Sequence, residues 1–252
     1  MEKGINRYSR NRIYIATEQQ ALIKTIPILL AGCGIGSIIA ECALRMGFEN
    51  LTIVDGDRVE LSNLNRQNYI EADIERTKVD AIQARLLDIN RDASIRVCPD
   101  FITEDNLDNF IPGHQIAINA LDFSSNVPLL FDDACKRNNI PVLHPYNIGW
   151  GGLVTVISPD GPSLDFIKRS DKLFNEVEFV EYAIHHMAFW GNPQPWIKDV
   201  LDRYLAEKDI LPPPQLAVGS WMVASMCVGI LFDLATNVKT KQFPEFYFNA
   251  VK

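Results

Sequence analysis

Apolar residues arrive along this chain in two rhythms. TIPILLAG (25–32) is a short apolar run closed by glycine, the pattern of a strand buried on both faces. IGSIIAECALRMG (35–47) is long enough for a helix and stops on Gly47, a natural C-terminal cap. NLTIVD (50–55) repeats the strand pattern. In TKVDAIQARLLDIN (77–90), Val79, Ile82, Leu86 and Ile89 share one helical face, with Thr77 as N-cap and Asp80 three residues on. ASIRVC (93–98), QIAINAL (115–121) and IPVLH (140–144) are further strands, and SSNVPLLFDDACKRNN (124–139) is the helix between the last two. Strands alternating with amphipathic helices imply crossover connections and a mostly parallel sheet.

After residue 145 the pattern changes. YNIGWGGLVTVISP (146–159) predicts a glycine-rich bend into a β-branched strand that runs antiparallel. Residues 160–212 hold aromatics, His185, His186 and GNPQPW, and show no period from which elements follow. A helix over 215–236 and an aromatic strand, FPEFYFNA (243–250), finish the chain. The predicted fold is therefore α/β and Rossmann-like: a mostly parallel sheet with flanking helices, extended by antiparallel strands in the C-terminal half. With no internal repeat or low-complexity linker, a single domain over 1–252 is expected. It divides into an N-terminal arm (1–25), a core (26–158), a variable region (159–212) and a closing helix and strand (213–252).

Composition narrows the class. The 252 residues are 47% hydrophobic and carry a formal charge of −8, which argues against a nucleic-acid surface, since phosphate binding needs clustered positive charge. Five scattered cysteines (Cys33, Cys42, Cys98, Cys135, Cys227) show no C-x-x-C spacing and, with no apolar leader after the polar start, lead us to expect free thiols in a reducing cytoplasm. The uncharged stretch Ile210–Phe232 opens with Pro212–Pro214 and holds Gln215, Ser220 and Ser225. It reads as a buried packing or interface helix, and stable membrane insertion is not expected.

The chemistry gathers at strand ends. AGCGIGS (31–37) joins a strand to a helix, and Gly32, Gly34 and Gly36 would let backbone amides approach phosphate at a helix N-terminus. A strict G-x-G-x-x-G would need glycine where Ser37 stands, so the loop alone is a weak signal. Asp55 ends the next strand near the spacing at which an acid meets a ribose hydroxyl. A nicotinamide enzyme needs little more, yet DGDRVELSNLNRQ (55–67) adds Arg66, a planar five-donor cation, among amides. Lys78 follows at a predicted first helical turn, and Asp122 ends QIAINALD as a natural Mg²⁺ ligand facing phosphate-binding cations. Asp55 for ribose, Arg66 and Lys78 for polyphosphate and Asp122 for metal suit ATP.

RYSRNRI (7–13), LLAGCGIGS, LTIVDGDRVELSNLNRQ, Lys78 and NALDF occur in the order seen in the ThiF/MoeB/HesA superfamily, which this chain resembles from residue 7 to about 158. The resemblance implies an ATP-dependent adenylyltransferase that activates a carboxylate, typically the C-terminus of a ubiquitin-like sulfur-carrier protein or peptide, and releases pyrophosphate. Position by position, it implies phosphate binding around Gly32, Gly34 and Gly36, and ribose at Asp55. Asp57 and Gln67 complete the nucleotide site, Asn63, Arg66 and Lys78 contact the phosphates, and Asp122 coordinates magnesium. Arg10 matches an arginine finger that enters from the other subunit, so a homodimer is expected, with the helix 215–236 at the contact. No general base is required, because a carboxylate is already an anion at neutral pH.

The chain departs from the family at Ala31 and Cys33, where relatives have glycines, and in a segment between Arg66 and Lys78 one residue shorter. Structural zinc is not expected: residues 136–226 hold no cysteine, and a mixed site would need His114, His144, His185 or His186 with remote thiols. Cys135 and Cys227 read as core thiols, so the adenylate is expected to be the end point or to pass to a thiol or amine from another molecule. Two alternatives stand beside this reading: a non-catalytic partner subunit of the same fold, and an NAD-dependent oxidoreductase supported by the loop and Asp55 alone. Phe189, Trp190 and Trp196 form either a docking surface or an aromatic satellite core.

Overall fold

The computed structural model describes residues 6–168, 173–207 and 210–252. A first helix, α1 (Thr17–Thr25), precedes β1 (Pro27–Ala31), α2 (Ile35–Met46) and β2 (Asn50–Val54). A long polar loop then leads to α3 (Lys78–Ile89), β3 (Ser94–Cys98), β4 (Ile116–Asn119), α4 (Val127–Arg137) and β5 (Val142–Asn147). β6 (Gly151–Ile157), α5 (Glu176–Phe189), α6 (Pro195–Leu205), α7 (Ala217–Ala235) and β7 (Tyr247–Ala250) complete the order.

The strands form one seven-stranded sheet in the order β3-β2-β1-β4-β5-β6-β7. The first four pairings are parallel, and β5–β6 and β6–β7 are antiparallel. This is the Rossmann-like sheet with antiparallel extension that the alternation of patterns predicts. Successive residues of a strand point to opposite faces, and β1 shows the consequence: Ile28 and Leu30 enter one core cluster, Leu29 and Ala31 the other. The first cluster packs α2, α3 and α7 on one face of the sheet. The second packs α4 and α5 on the other.

Local chemistry explains the boundaries. Gly47 closes α2 at φ 121°, donating its N–H to the carbonyls of Ala43 and Leu44. Thr77 caps α3 by accepting from the Asp80 N–H, as its spacing predicts. α7 is long and apolar enough to cross a membrane by length and composition, yet Val223, Ala224, Cys227, Val228 and Leu231 are buried in the first core cluster. It lies against α2, β5 and β6.

Two regions go beyond the sequence expectation. The arm over 1–25 contains α1, which buries only Ile23 and so carries little apolar signal. The unreadable stretch 160–212 contains α5 and α6. Asn175 starts α5 with a capping box, its side chain accepting from the Val177 and Glu178 N–H groups.

Candidate active site

In an open α/β sheet, ligands bind beyond the carboxyl ends of the strands where strand order reverses. Here that point lies between β1 and β4. A cavity of about 1160 Å³ opens there, lined by the glycine loop after β1, the polar loop after β2 and the Asp122 loop after β4.

The glycine loop is built by close approach. Gly32 sits at φ 93°, and a Cβ placed on it would stand 2.3 Å from the Ala120 carbonyl oxygen. Its N–H bonds the Val54 carbonyl at 2.9 Å, tying the loop to β2. Cys33 follows with its N–H donating to Asp55 Oδ2 at 2.5 Å and its carbonyl accepting from the Tyr69 hydroxyl at 2.7 Å. Burial, with the neighbouring Asp55 charge, pushes the Cys33 thiol up to about 12. Ser37, where a strict fingerprint has glycine, donates from Oγ to the Gly34 carbonyl at 2.7 Å and accepts from the Asn68 N–H at 3.0 Å. The hydroxyl braces the loop and holds the polar segment against it.

The stretch after β2 earns its charge. Residues 58–59 pair with residues 75–77: Val59 N–H donates to the Arg76 carbonyl and Glu75 N–H to the Val59 carbonyl, both at 2.9 Å. That pairing delivers Lys78 to the cavity, where its ammonium lies 2.8 Å from Asp57 Oδ2. Burial pulls the Lys78 pKa down, but Asp55 and Asp57 outweigh it and hold the group above its ordinary value. Asp55 is opposite in balance: burial raises its carboxyl, partly offset by Lys78 and by bonds from the Asp57 and Cys33 N–H groups. Asn63 is buried and turns the segment, accepting at Oδ1 from the Glu60 N–H at 3.0 Å. Arg66 is anchored by the Ser62 carbonyl at 2.8 Å, by Asn65 Oδ1 at 2.9 Å and by Gln215 Oε1. Desolvation lowers the Arg66 pKa and the charge of Asp122 opposes that, so arginine and aspartate act on the same space.

Of the residues singled out by spacing, Gly32, Gly34, Asp55, Asp57, Asn63, Arg66, Gln67, Lys78 and Asp122 line this one cavity. Gly36 does not. It lies inside the first turn of α2, and a Cβ added there would meet nothing within 4 Å. Arg10 is exposed and also lies off the cavity. Its segment is pinned by Tyr8 to Glu49 at 2.8 Å and by Asn11 to the Met46 carbonyl at 2.9 Å, at the amino end of β2. The arginine thus lies near the amino end of β2, away from the end of the sheet where the cavity opens.

Sequence spacing misses Glu176, His144, Tyr146 and Gln215, which line the same cavity from α5, β5 and the segment before α7. Among the described residues, the buried side-chain atoms without a hydrogen-bond partner are Gln67 Oε1, His144 Nδ1 and the Tyr146 hydroxyl, and all three residues are cavity-lining. Buried polar atoms are normally paired, so their concentration here marks a wall shaped for a ligand. Among the described residues no three metal-ligating side chains cluster. A magnesium ion does not need them, because it is held by one or two carboxylates together with substrate phosphates. Exposed Asp122, within electrostatic reach of Arg66 and on the same cavity as Lys78 and the glycine loop, fits that donor set.

The arrangement is an α/β crevice at the carboxyl ends of the strands, lined by a glycine loop, two cations and several carboxylates. The model of the ThiF family matches residues 8–251, and the chain belongs to that family. It is 32% identical to the sulfur carrier protein ThiS adenylyltransferase of Bacillus subtilis, over 61% of this chain and 47% of that protein. It is 30% identical to the tRNA threonylcarbamoyladenosine dehydratase of the same organism, over 55% of this chain and 56% of that one. The chain thus spans about half the length of these curated relatives. Among solved structures, Escherichia coli MccB with ATP superposes with a TM-score of 0.72 over 97% of this chain and 71% of that one, at 18% identity. At that identity the likeness concerns the fold.

Proposed function

We propose that this protein is an ATP-dependent adenylyltransferase that activates a carboxylate, the C-terminus of a small carrier protein or a peptide, as its acyl-adenylate. The observation that carries this reading is the convergence of Arg66, Lys78 and Asp122 on one crevice beside the glycine loop. Membership of the ThiF family, whose relatives include a named adenylyltransferase, supports it.

In the reaction a carboxylate oxygen attacks the α-phosphorus of ATP, and the bond to the pyrophosphate oxygen breaks. Charge grows on the phosphate oxygens, and preorganised cations stabilise it most effectively in a shielded site. Lys78 trades its contact with Asp57 for phosphate, and Arg66 presents a guanidinium already oriented by Ser62, Asn65 and Gln215. Magnesium held at Asp122 would neutralise phosphate charge. In this reading Asp55 receives the ribose and Gln67 completes the site beside Gly34, while Gly32 lets the loop close against the end of β4. A second copy of the chain would supply Arg10, so the working unit in this reading is a homodimer.

The test is ATP–pyrophosphate exchange with short peptides ending in Gly-Gly, Asn or Glu as carboxylate probes. Arg66→Ala and Asp122→Asn are expected to lower exchange by about 100-fold or more, the usual scale for removing a group that stabilises developing charge. ATP with magnesium should also raise the melting temperature, since ligand at about 100 times its Kd stabilises by ~2.7 kcal/mol. Stabilisation by NAD and not by ATP–magnesium, with no exchange for any probe, would defeat the assignment.

A further inference from the structure

Adenylation leaves one cluster on the cavity wall without a task. Asp132 of α4 and His144 of β5 are 3% and 1% exposed. His144 Nε2 lies 2.8 Å from both carboxylate oxygens of Asp132, and Asn119 Nδ2 donates to Oδ1 at 2.9 Å. A carboxylate only accepts, so the hydrogen-bond network assigns the imidazole proton to Nε2 and leaves a lone pair on Nδ1. That Nδ1 has no partner, and neither has the hydroxyl of Tyr146, which is 7% exposed and leaves β5 on the same face. Both residues line the nucleotide cavity.

The surroundings select what these atoms would receive. The Phe123 ring lies 6.2 Å from the His144 ring, and Phe179 stacks on Tyr146 at 4.5 Å. Asp122 adjoins Phe123 in the chain, and Glu176 opens α5 on the same cavity. Burial raises the Glu176 carboxyl and the charge of Asp122 adds to that, which places the two acids in electrostatic reach. The carboxylates of Asp122 and Glu176, with the partly exposed Phe123 ring on the same cavity, favour a cation. Among the described residues no cysteine lines the cavity, so the chain offers no thiol of its own there.

We propose that this corner is an acceptor site for a primary amine, and that His144, held by Asp132, takes a proton from the amine as it attacks the acyl-adenylate. The inference rests on the adenylation reading. In the step, the acyl-adenylate and a primary amine give an amide and AMP. The ammonium ion gives one proton to water, the free amine forms the nitrogen–carbon bond as its second proton passes to His144 Nδ1, the acyl carbon–oxygen bond breaks, and AMP leaves with the oxygen. An amine reaches the site as an ammonium ion and needs a base, whereas a thiol ionises far more readily. Asp132 is the positioning residue. Asp132 from α4 bonds the imidazole, Tyr146 on β5 stacks beside it, and the carboxylate of Glu176 from α5 acts on Tyr146.

The experiment measures two reactions on the same preparations: ATP–pyrophosphate exchange with the peptide probes above, and amide formation with glycinamide. His144→Gln keeps a donor for Asp132 but brings no base. In H144Q the ratio of amide formation to exchange should fall by about 100-fold or more, and the remaining amide formation should rise with pH as free amine accumulates. Hydroxylamine, largely unprotonated at neutral pH, should recover product formation in H144Q. Should H144Q be unstable, Tyr146→Phe decides: KM for glycinamide rises by about fivefold or more, read against the exchange rate of the same preparation. Exchange with wild-type amide formation in H144Q, an unchanged KM in Y146F, or exchange without any amide in wild type overturns the amine site and leaves adenylation standing. Absence of exchange in wild type with every probe removes adenylation, and this proposal falls with it.

Discussion

Gly32→Ala probes the closest approach in the site. Gly32 adopts φ 93°, and a Cβ there would lie 2.3 Å from the Ala120 carbonyl oxygen and 2.7 Å from its carbon. Placing an L side chain in the left-handed region costs about 1–2 kcal/mol. The clash is with backbone, so it cannot be relieved by a rotamer. It must push the end of β4 away from β1, where Ala120 N–H donates to the Ala31 carbonyl at 2.8 Å. Overpacking of this kind costs about 1–3 kcal/mol. Together the loss is about 2–5 kcal/mol, which for a chain of this size is a fall of roughly 5–15 °C in Tm. Thermal unfolding followed by circular dichroism, with a urea midpoint at unchanged slope, reads it directly. Gly36→Ala is the control, since its Cβ meets nothing within 4 Å and it lies in α2. There the replacement should stabilise by about 0.5–1 kcal/mol through helix propensity alone. A Gly32→Ala loss below about 2 °C, or equal losses at both positions, would refute the reasoning.

Two further outcomes follow from groups outside the cavity. Glu41 is 4% exposed and bridges Arg45 and Arg85; burial pushes its carboxyl up, but the arginines and Asn68 outweigh it and hold it below the ordinary value. A depressed folded pKa gives stability that is present above the unfolded value of about 4.3 and is lost as pH falls through the folded one. Glu41→Gln should therefore cost about 1–3 kcal/mol in urea unfolding at neutral pH and much less near pH 3, and an equal loss at both would contradict the ion-pair account. Among the thiols, Cys33, Cys135 and Cys227 are buried, and burial raises all three. Ellman's reagent on the native protein should reach Cys42 and Cys98 only, with the others reacting after unfolding; rapid labelling of Cys33 would mean that the glycine loop opens.

The β1–α2–β2 unit was legible because each of its features is local. A buried run, a three-turn period and Gly47 at its end lie within a few residues of one another. The same holds for Thr77 and Lys78 at the start of α3. The helices α5 and α6 were not legible, since the apolar residues of EVEFVEYAIHHMAF surround most of the helix and hide its period. Asn175 and Glu178 did carry a capping signal there. The site divides in the same way. Residues of the loop after β2 could be gathered by spacing, and Asp122 by its place at a strand end. Asp132 and His144 sit on a helix and the following strand, with no motif that links them, and only the sheet brings them to one wall. His185 and His186, more conspicuous in sequence, lie on α5 away from it, with His186 packed against Tyr182 and Phe246. Phe189 and Trp190 are exposed, while Trp196 packs against the second core cluster.

The tether between Arg66 and Gln215 joins positions from opposite halves of the sequence, and Asn65 Nδ2 reaches the Gln215 carbonyl at 3.3 Å beside it. A fragment ending after β5 would retain every motif that a search by eye would recognise. It would still release the guanidinium from the residue that orients it, and strip away the two antiparallel strands and the helix α7 that covers one face of the sheet. Recognition motif and complete pocket are thus encoded in different stretches of this polypeptide, and trimming it to the recognisable part would leave Arg66 unmoored and uncover the core face on which α7 packs.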